Sequence, residues 1–297
     1  SADYAGEHQK DHAQTSMNRM AISFALAAAD DYGMPAEACE KLGKINGAAG
    51  AKGVRHNRDY AQHLESLGET FELLDQKQMR DICGTDYYEN GLYTPGTAML
   101  QPALYMRCMA EGLAKQGVQI FEQTPAVEIR SRGESWQVET SAGSIHASSI
   151  ILTTNGHAES FGFFKQRLLH IYLYASMTEP LSYDQIKNLG GHERWGITPS
   201  DPLGTTLRKI SGIGGTRLVI RNGIRWAPSR AAGAATVAGF SGKHDNAFHA
   251  RFPQLKGINM EHRWGGLLCL SMNATPAFGE LERGLFSACC QNGLGTA

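Results

Sequence analysis

An apolar run at residues 285–290 leads directly into Gly293-Leu294-Gly295, near the end of the chain. A strand that enters a G-x-G turn is the first half of a phosphate or cofactor cradle, because glycines let backbone N–H groups approach a ligand. The helix whose N-terminus would complete such a cradle does not follow within these 297 residues, and no complete G-x-G-x-x-G occurs anywhere in them. A second cluster, Gly212-Ile213-Gly214-Gly215, precedes a strand pattern rather than a helix and reads as a plain turn. The eleven histidines include no H-E-x-x-H. His8 and His12, four apart in a polar stretch, read as a solvated helical face, so no metal site is expected. No C-x-x-C or G-x-S-x-G is present, and the vicinal Cys289-Cys290 reads as strand packing. Carboxylates are scattered, so neither an acid–base pair nor any other catalytic residue is assigned.

The elements that would position a ligand can be read from the apolar pattern. Helices are expected over 14–32, 57–67 and 75–83, and from Pro102 to a stop at Gly117; Pro is favoured at a first helical position and Gly just past a last one. The Gly/Ala-rich stretch 45–53 reads as a turn or a short edge strand. Strands are expected at 118–121, 126–130, 136–139, 144–147 and 149–153, the third and fourth pairing across Ser141-Ala142-Gly143. Beyond that, 163–260 reads as mostly antiparallel sheet: a long strand at 168–178, a helix opening near Ser182 and ending at Gly190-Gly191, and a hairpin around Asn222-Gly223. A polar helix at 243–251 closes at Pro253, and strands return at 262–270 and 284–290.

Composition excludes several classes. Lys+Arg 28 against Asp+Glu 29 leaves a net charge of −1, so nothing draws the chain to nucleic acid or an anionic membrane. With 42% hydrophobic and 19% charged residues the sequence is that of an ordinary globular chain, and its apolar runs are too short to span a bilayer. Six cysteines without zinc spacing, and no basic-then-apolar leader, read as reduced thiols in a cytoplasmic protein. Only glycine is in excess, at 34 of 297 residues. These residues alone reach an α/β domain with a ligand cradle.

Taken in order, several segments resemble a known family. They are Leu73-Leu74-Asp75, Gly91-Leu92-Tyr93 leading to Gln101-Pro102, Gly117-Val118 through Glu122-Gln123-Thr124-Pro125-Ala126-Val127-Glu128-Ile129, and Ala147-Ser148-Ser149-Ile150-Ile151-Leu152-Thr153-Thr154-Asn155-Gly156. Thr178-Glu179-Pro180-Leu181, Phe252-Pro253-Gln254-Leu255, Trp264-Gly265-Gly266, Pro276-Ala277-Phe278-Gly279 and Cys290-Gln291-Asn292-Gly293-Leu294-Gly295 continue the series. The chain resembles the flavin-dependent D-amino-acid oxidase/glycine oxidase superfamily, and within it the γ-glutamylputrescine oxidoreductase-like members. The resemblance implies an α/β (α+β overall) fold, with a partial FAD-binding domain from 1–39, 102–159 and 260–297. A mainly antiparallel substrate domain would take 40–101 and 160–259.

By the same resemblance Val127 lies on the strand facing the adenine, Thr154 and Gly156 border the nucleotide, Trp264 and Gly265 flank the flavin, and Gly293, Leu294 and Gly295 approach its ring. Tyr93, Met99, Tyr172 and Tyr174 would face a small amine or amino-acid substrate. The implied chemistry is hydride transfer from a C–N bond to FAD, giving an imine. The family opens with a G-x-G-x-x-G unit that this sequence lacks, so a truncated form is expected, with self-association through surface left uncovered. A flavin-free binding or interaction domain is the competing reading.

Overall fold

The computed structural model describes residues 8–201, 203–273 and 275–290. The chain runs α1 (His8–Asp31), β1 (Cys39–Glu40), β2 (Lys44–Ala48), α2 (Ala51–Ser66), β3 (Glu72–Asp75), α3 (Gln76–Cys83), β4 (Asn90–Thr94), β5 (Met99–Leu100) and α4 (Pro102–Lys115). A meander follows, β6 (Ala126–Arg132), β7 (Ser135–Thr140) and β8 (Gly143–Ala147), then β9 (Ile150–Leu152) and a 3-10 helix at Asn155–Phe161. Next come β10 (Leu168–Thr178), α5 (Tyr183–Leu189), β11 (Trp195–Pro199), β12 (Thr206–Ile210), β13 (Arg217–Trp226), α6 (Ala234–Ala238) and α7 (Ser241–Arg251). β14 (Met260–Ser271), β15 (Ala277–Glu282) and β16 (Leu285–Cys289) complete the described chain, which is mixed α/β as expected. Among the described residues no helix is long and apolar enough to cross a membrane.

Chain contacts divide the protein into two units: residues 1–112, 173–223 and 233–265, and residues 113–172, 224–232 and 266–297. Residues 8–39 and 40–101 fall in the same unit. The first unit is built on an eight-stranded sheet of order β14-β10-β13-β12-β11-β2-β4-β3. β11, β12 and β13 are antiparallel neighbours, while β11 and β2 run parallel. One face buries Ile45, Ile197, Leu207, Leu218 and Ile220 with Met79, Phe248, Phe252 and Leu255. Local sequence closes the helices on that core. Asp75 and Gln78 form a reciprocal capping box at the start of α3, Ser182 and Gln185 do the same for α5, and Pro102 opens α4. α3 ends at Gly84 (φ 74°), where a Cβ would lie 2.1 Å from the Leu189 carbonyl oxygen.

The second unit contains a three-stranded sheet β15-β16-β9, with β9 parallel to β16, and the antiparallel meander β6-β7-β8. Trp136, Leu152, Ala158, Cys269, Leu285 and Cys289 form its core.

Three expectations are corrected. Residues 45–53 are neither turn nor edge: β2 lies inside the sheet between β11 and β4, and α2 begins at Ala51. Gly47 serves packing there, since a Cβ would come within 2.7 Å of Ile197 and 2.9 Å of Tyr88. Asn222-Gly223 makes no hairpin, because β13 runs unbroken through it. The Phe240 ring occupies the space of a Gly223 side chain, and Asn222 donates to Thr205 Oγ1 while its carbonyl faces His244. Residues 118–121 form no strand, and Val118, Ile120 and Phe121 are exposed. The helix expected at 57–67 starts six residues earlier, and β11, β12 and β15 were not foreseen.

A buried polar chain joins β10, β13, α7 and β14 in the first unit. His244 Nε2 is 3.1 Å from the Asn222 carbonyl, which can only accept, so Nε2 carries the proton. Nδ1 then accepts from the Ser176 hydroxyl at 2.7 Å. Ser176 Oγ accepts from Arg263, whose other nitrogen holds both Asp245 oxygens at 2.8 and 3.0 Å. Burial pushes the His244 pKa below the ordinary histidine value against the opposing Asn222 bond, with Arg263 adding to the push. An unfolded histidine, with a pKa of about 6.5, takes up its proton first. The neutral ring therefore contributes its full stability above roughly pH 6.5, and that contribution is lost as pH falls through the folded value. Denaturant unfolding at pH 7.5 and 5 should show a larger loss for the wild type than for His244→Gln. Equal losses would contradict the assignment.

Candidate functional site

In the second unit, the residues expected on the nucleotide side lie just beyond β9 and at the start of β6. β9 leads through Thr154 into the 3-10 helix, and the Thr154 hydroxyl makes no capping bond. Among the described residues its Oγ1 is buried without a hydrogen-bond partner. Asn155 adopts a left-handed backbone (φ 49°) and its Oδ1 accepts from Cys290 N at 3.1 Å, tying the exit of β9 to the exit of β16. Gly156 is buried because His170 needs the space: a Cβ would lie 2.6 Å from His170 Nδ1 and 3.4 Å from Cys269 Cβ. His170 Nε2 is in turn 2.7 Å from Glu159 Oε2, and Arg230 donates to the Gly156 carbonyl at 3.3 Å. Tyr172 is half-buried and donates to the Arg230 carbonyl.

Val127 is 63% exposed. In the β6–β7 ladder Ala126 pairs with Thr140 and Glu128 with Glu139, so Val127 is the extra residue of a β-bulge. Val127 thus has no residue opposite it in the ladder. That gap in the pairing and the Thr154 hydroxyl, unpartnered among the described residues, both fit a bound nucleotide. Gly293, Leu294 and Gly295 lie outside the described residues.

The remaining expected residues belong to the first unit. Trp264 is 42% exposed and Gly265 half-buried, both on β14. Tyr93 on β4 donates to the Leu42 carbonyl at 3.2 Å, and its ring fills the space beside Gly43 (φ 75°). Tyr174 is 1% exposed and stacks on Phe240 at 3.9 Å between ring centroids. Met99 on β5 is half-buried, with its sulfur opposite Gly196.

Gly196 pairs across the sheet with Arg208, which donates to the Leu100 carbonyl at 3.1 Å. Arg221 on β13 donates to Thr206 Oγ1 at 2.7 Å. Burial lowers the pKa of both guanidinium groups, and the charge of Arg221 lowers that of Arg208 further. Sequence reasoning named neither arginine, nor His170 with Glu159. The signal for the first was the alternation Thr206-Leu207-Arg208-Lys209-Ile210, which sends apolar Leu207 and charged Arg208 to opposite faces.

The space at Gly156 gives a direct test. In Gly156→Ala the added methyl must displace the His170 ring and its bond to Glu159. A loss of about 1–3 kcal/mol is expected on chemical denaturation. The same substitution in a His170→Ala background should cost much less, because the colliding ring is gone. Equal losses in the two backgrounds would refute the contact.

The family described as FAD dependent oxidoreductase (DAO) matches residues 3–297. A probable oxidoreductase OrdL of Haemophilus influenzae is 24% identical over 237 residues, covering 77% of this chain and 51% of its own length. The chain thus spans about half the length of that curated relative. Glycine oxidase from Geobacillus kaustophilus shares the fold with a TM-score of 0.76 at 16% identity, over 95% of this chain and 75% of that one. L-proline dehydrogenase from P. horikoshii does so with a TM-score of 0.75 at 14% identity, over 100% and 78%. The chain belongs to the FAD dependent oxidoreductase family.

Proposed function

We propose that the chain takes part in the FAD-dependent oxidation of an amine or amino acid. Bound FAD supplies the hydride acceptor, so that a C–N bond becomes an imine that water hydrolyses. The observation that carries this reading is the buried Thr154 hydroxyl, unpartnered among the described residues, near the register shift at Val127, two positions that the family resemblance gives to the nucleotide. The Val127 peptide would present a donor and an acceptor to the edge of a heterocycle. The Thr154 hydroxyl would bond to a ribose or phosphate oxygen. Gly156 would keep the backbone close and His170 in place, Trp264 and Gly265 would flank the ring, and Gly293, Leu294 and Gly295 would approach it.

On the substrate side, Met99 and Tyr172 retain surface for a ligand. The rings of Tyr93 and Tyr174 are committed to Gly43 and Phe240, so these residues would act by holding β4 and β10. The similar folds whose names point to glycine and L-proline support an amino-acid or amine substrate. Self-association would use the apolar face of the β15-β16-β9 sheet, where Ile151, Phe278 and Phe286 are exposed.

The 297 residues contain no G-x-G-x-x-G, so this chain by itself should hold FAD weakly. Each lost charge-assisted bond to a pyrophosphate is worth about 1.5–3 kcal/mol, and three together exceed a thousandfold in affinity. Isothermal titration is expected to give a dissociation constant above about 1 μM. Tighter binding would show that the residues present suffice. In FAD-saturated protein, anaerobic addition of amines and amino acids should bleach the flavin absorbance. No bleaching by any of them, with FAD bound, would overturn the oxidation reading, and no FAD binding at any concentration would favour the flavin-free binding domain instead.

A further inference from the structure

Three cysteines meet in the core of the second unit. Cys269 lies near the end of β14, Cys289 is the last residue of β16, and Cys290 follows it. A buried cysteine by itself says only that a small, soft side chain fits. What differs here is where each thiol points. Cys83 donates to the Met79 carbonyl at 2.8 Å and Cys289 to the Leu152 carbonyl at 3.3 Å, so both are committed to backbone. Cys269 and Cys290 instead bring their two sulfurs to within 3.5 Å.

The backbone builds this approach from both sides. Along β16 alternation turns Leu285, Ser287 and Cys289 inward, and the next residue would face out. Cys290 is buried all the same, because its backbone is left-handed (φ 60°), a region that cysteine rarely adopts. Asn155 holds it there by accepting from the Cys290 amide at 3.1 Å. On the other side Cys269 is set beside Gly156, where an added Cβ would lie 3.4 Å from the Cys269 Cβ. A clamp and a glycine thus converge on one pair of thiols.

We propose that Cys269 and Cys290 form a redox-modification site, a thiol pair that a peroxide converts to a disulfide within one chain. This stands apart from the amine-oxidation reading and needs no bound flavin. Cys290 is 6% exposed and Cys269 0%, so Cys290 meets the oxidant first. Its sulfur attacks one peroxide oxygen and the O–O bond breaks. The thiol proton leaves with the other oxygen as water, and Cys290 becomes a sulfenic acid. The Cys269 sulfur then attacks the Cys290 sulfur and the S–O bond breaks. The Cys269 proton departs with that hydroxide as a second water. Two thiols lose two electrons, and one peroxide gains them.

The sulfurs need to close by about 1.5 Å, from 3.5 Å to the roughly 2.0 Å of a disulfide. Burial, with the neighbouring Cys290 thiol adding to it, pushes the Cys269 pKa up and keeps that thiol neutral. Cys269 is therefore inert towards peroxide and reacts with the sulfenic acid pressed against it. The bond would close a loop over β15 and β16 and tie the exit of β16 to β14. Cys290 precedes Gly293 by three residues, so oxidation would fix the point from which the chain enters Gly293-Leu294-Gly295.

The test treats the whole chain, reduced and then freed of reductant, with a small excess of hydrogen peroxide. It is then denatured, blocked with N-ethylmaleimide and digested with trypsin without reduction. Cleavage after Arg263 and Arg283 puts Cys269 in one peptide and Cys289 with Cys290 in the next. A linked species is expected, two hydrogens lighter than the two peptides together, with fragmentation placing a maleimide on Cys289. The oxidised chain should melt about 5 °C or more above the reduced one, and dithiothreitol should reverse both changes. Cys290→Ser should abolish the link and Cys289→Ser should keep it. Should either variant fold poorly, fragmentation of the wild-type species makes the same distinction. No link to Cys269, a link through Cys289, or a disulfide that leaves the melting temperature unchanged would each overturn the proposal.

Discussion

A side chain on a strand can face only one way, and the first unit depends on that. Along β12 and β13 the pairs Leu207–Ile220 and Lys209–Leu218 are driven to the inner face by burial of Leu207, Leu218 and Ile220. The intervening Thr206, Arg208 and Arg221 have no choice but the opposite face. A slip of one residue would bury two guanidinium groups and expose three aliphatic side chains, so the register is strongly specified. The charged face is thus a by-product of how the core is packed. Even Lys209, caught on the inner side, satisfies its ammonium by donating to the Gly190 carbonyl at 3.0 Å.

The second unit is organised by a different device. β9 and β16 are parallel, and parallel neighbours need something to align their ends. Asn155 does this by turning left-handed and accepting from the Cys290 amide. The next residue must then be glycine, because His170, held by Glu159, is pressed against it. One short segment, Thr154-Asn155-Gly156, combines an orphaned hydroxyl, a strand clamp and a packing vacancy. Only the first of these is free to meet a ligand.

What could be read in the sequence follows from which signals are local. Capped helices such as α3 and α5, and the long strand β10, carry their own start and stop residues, and they were legible. The meander β6-β7-β8 was legible for the same reason, through alternation and a glycine turn. Glycine misled wherever its role was tertiary. At Gly47 it makes room for Ile197 and Tyr88, and at Gly223 for Phe240, yet both look like turns in isolation. The family resemblance pointed to Val127 and Thr154 without saying why those positions are suited. The register shift at Val127 and the buried Thr154 oxygen are tertiary features, and neither is visible before the strands are paired. Arg208 and Arg221 were hidden because only the pairing of β12 with β13 shows that they share one face.

The bulge at Val127 has a further bearing on how this segment can change over time. The ladder shifts register there because β6 has one residue more than β7 between the same pairs, whatever the side chains are. The side chain itself points to solvent. Variation in letter at this position is therefore nearly silent, while variation in count is not. Removing a single residue between Ala126 and Glu128 would re-zip the ladder. At this point of the chain the number of residues, rather than their kind, sets the pairing.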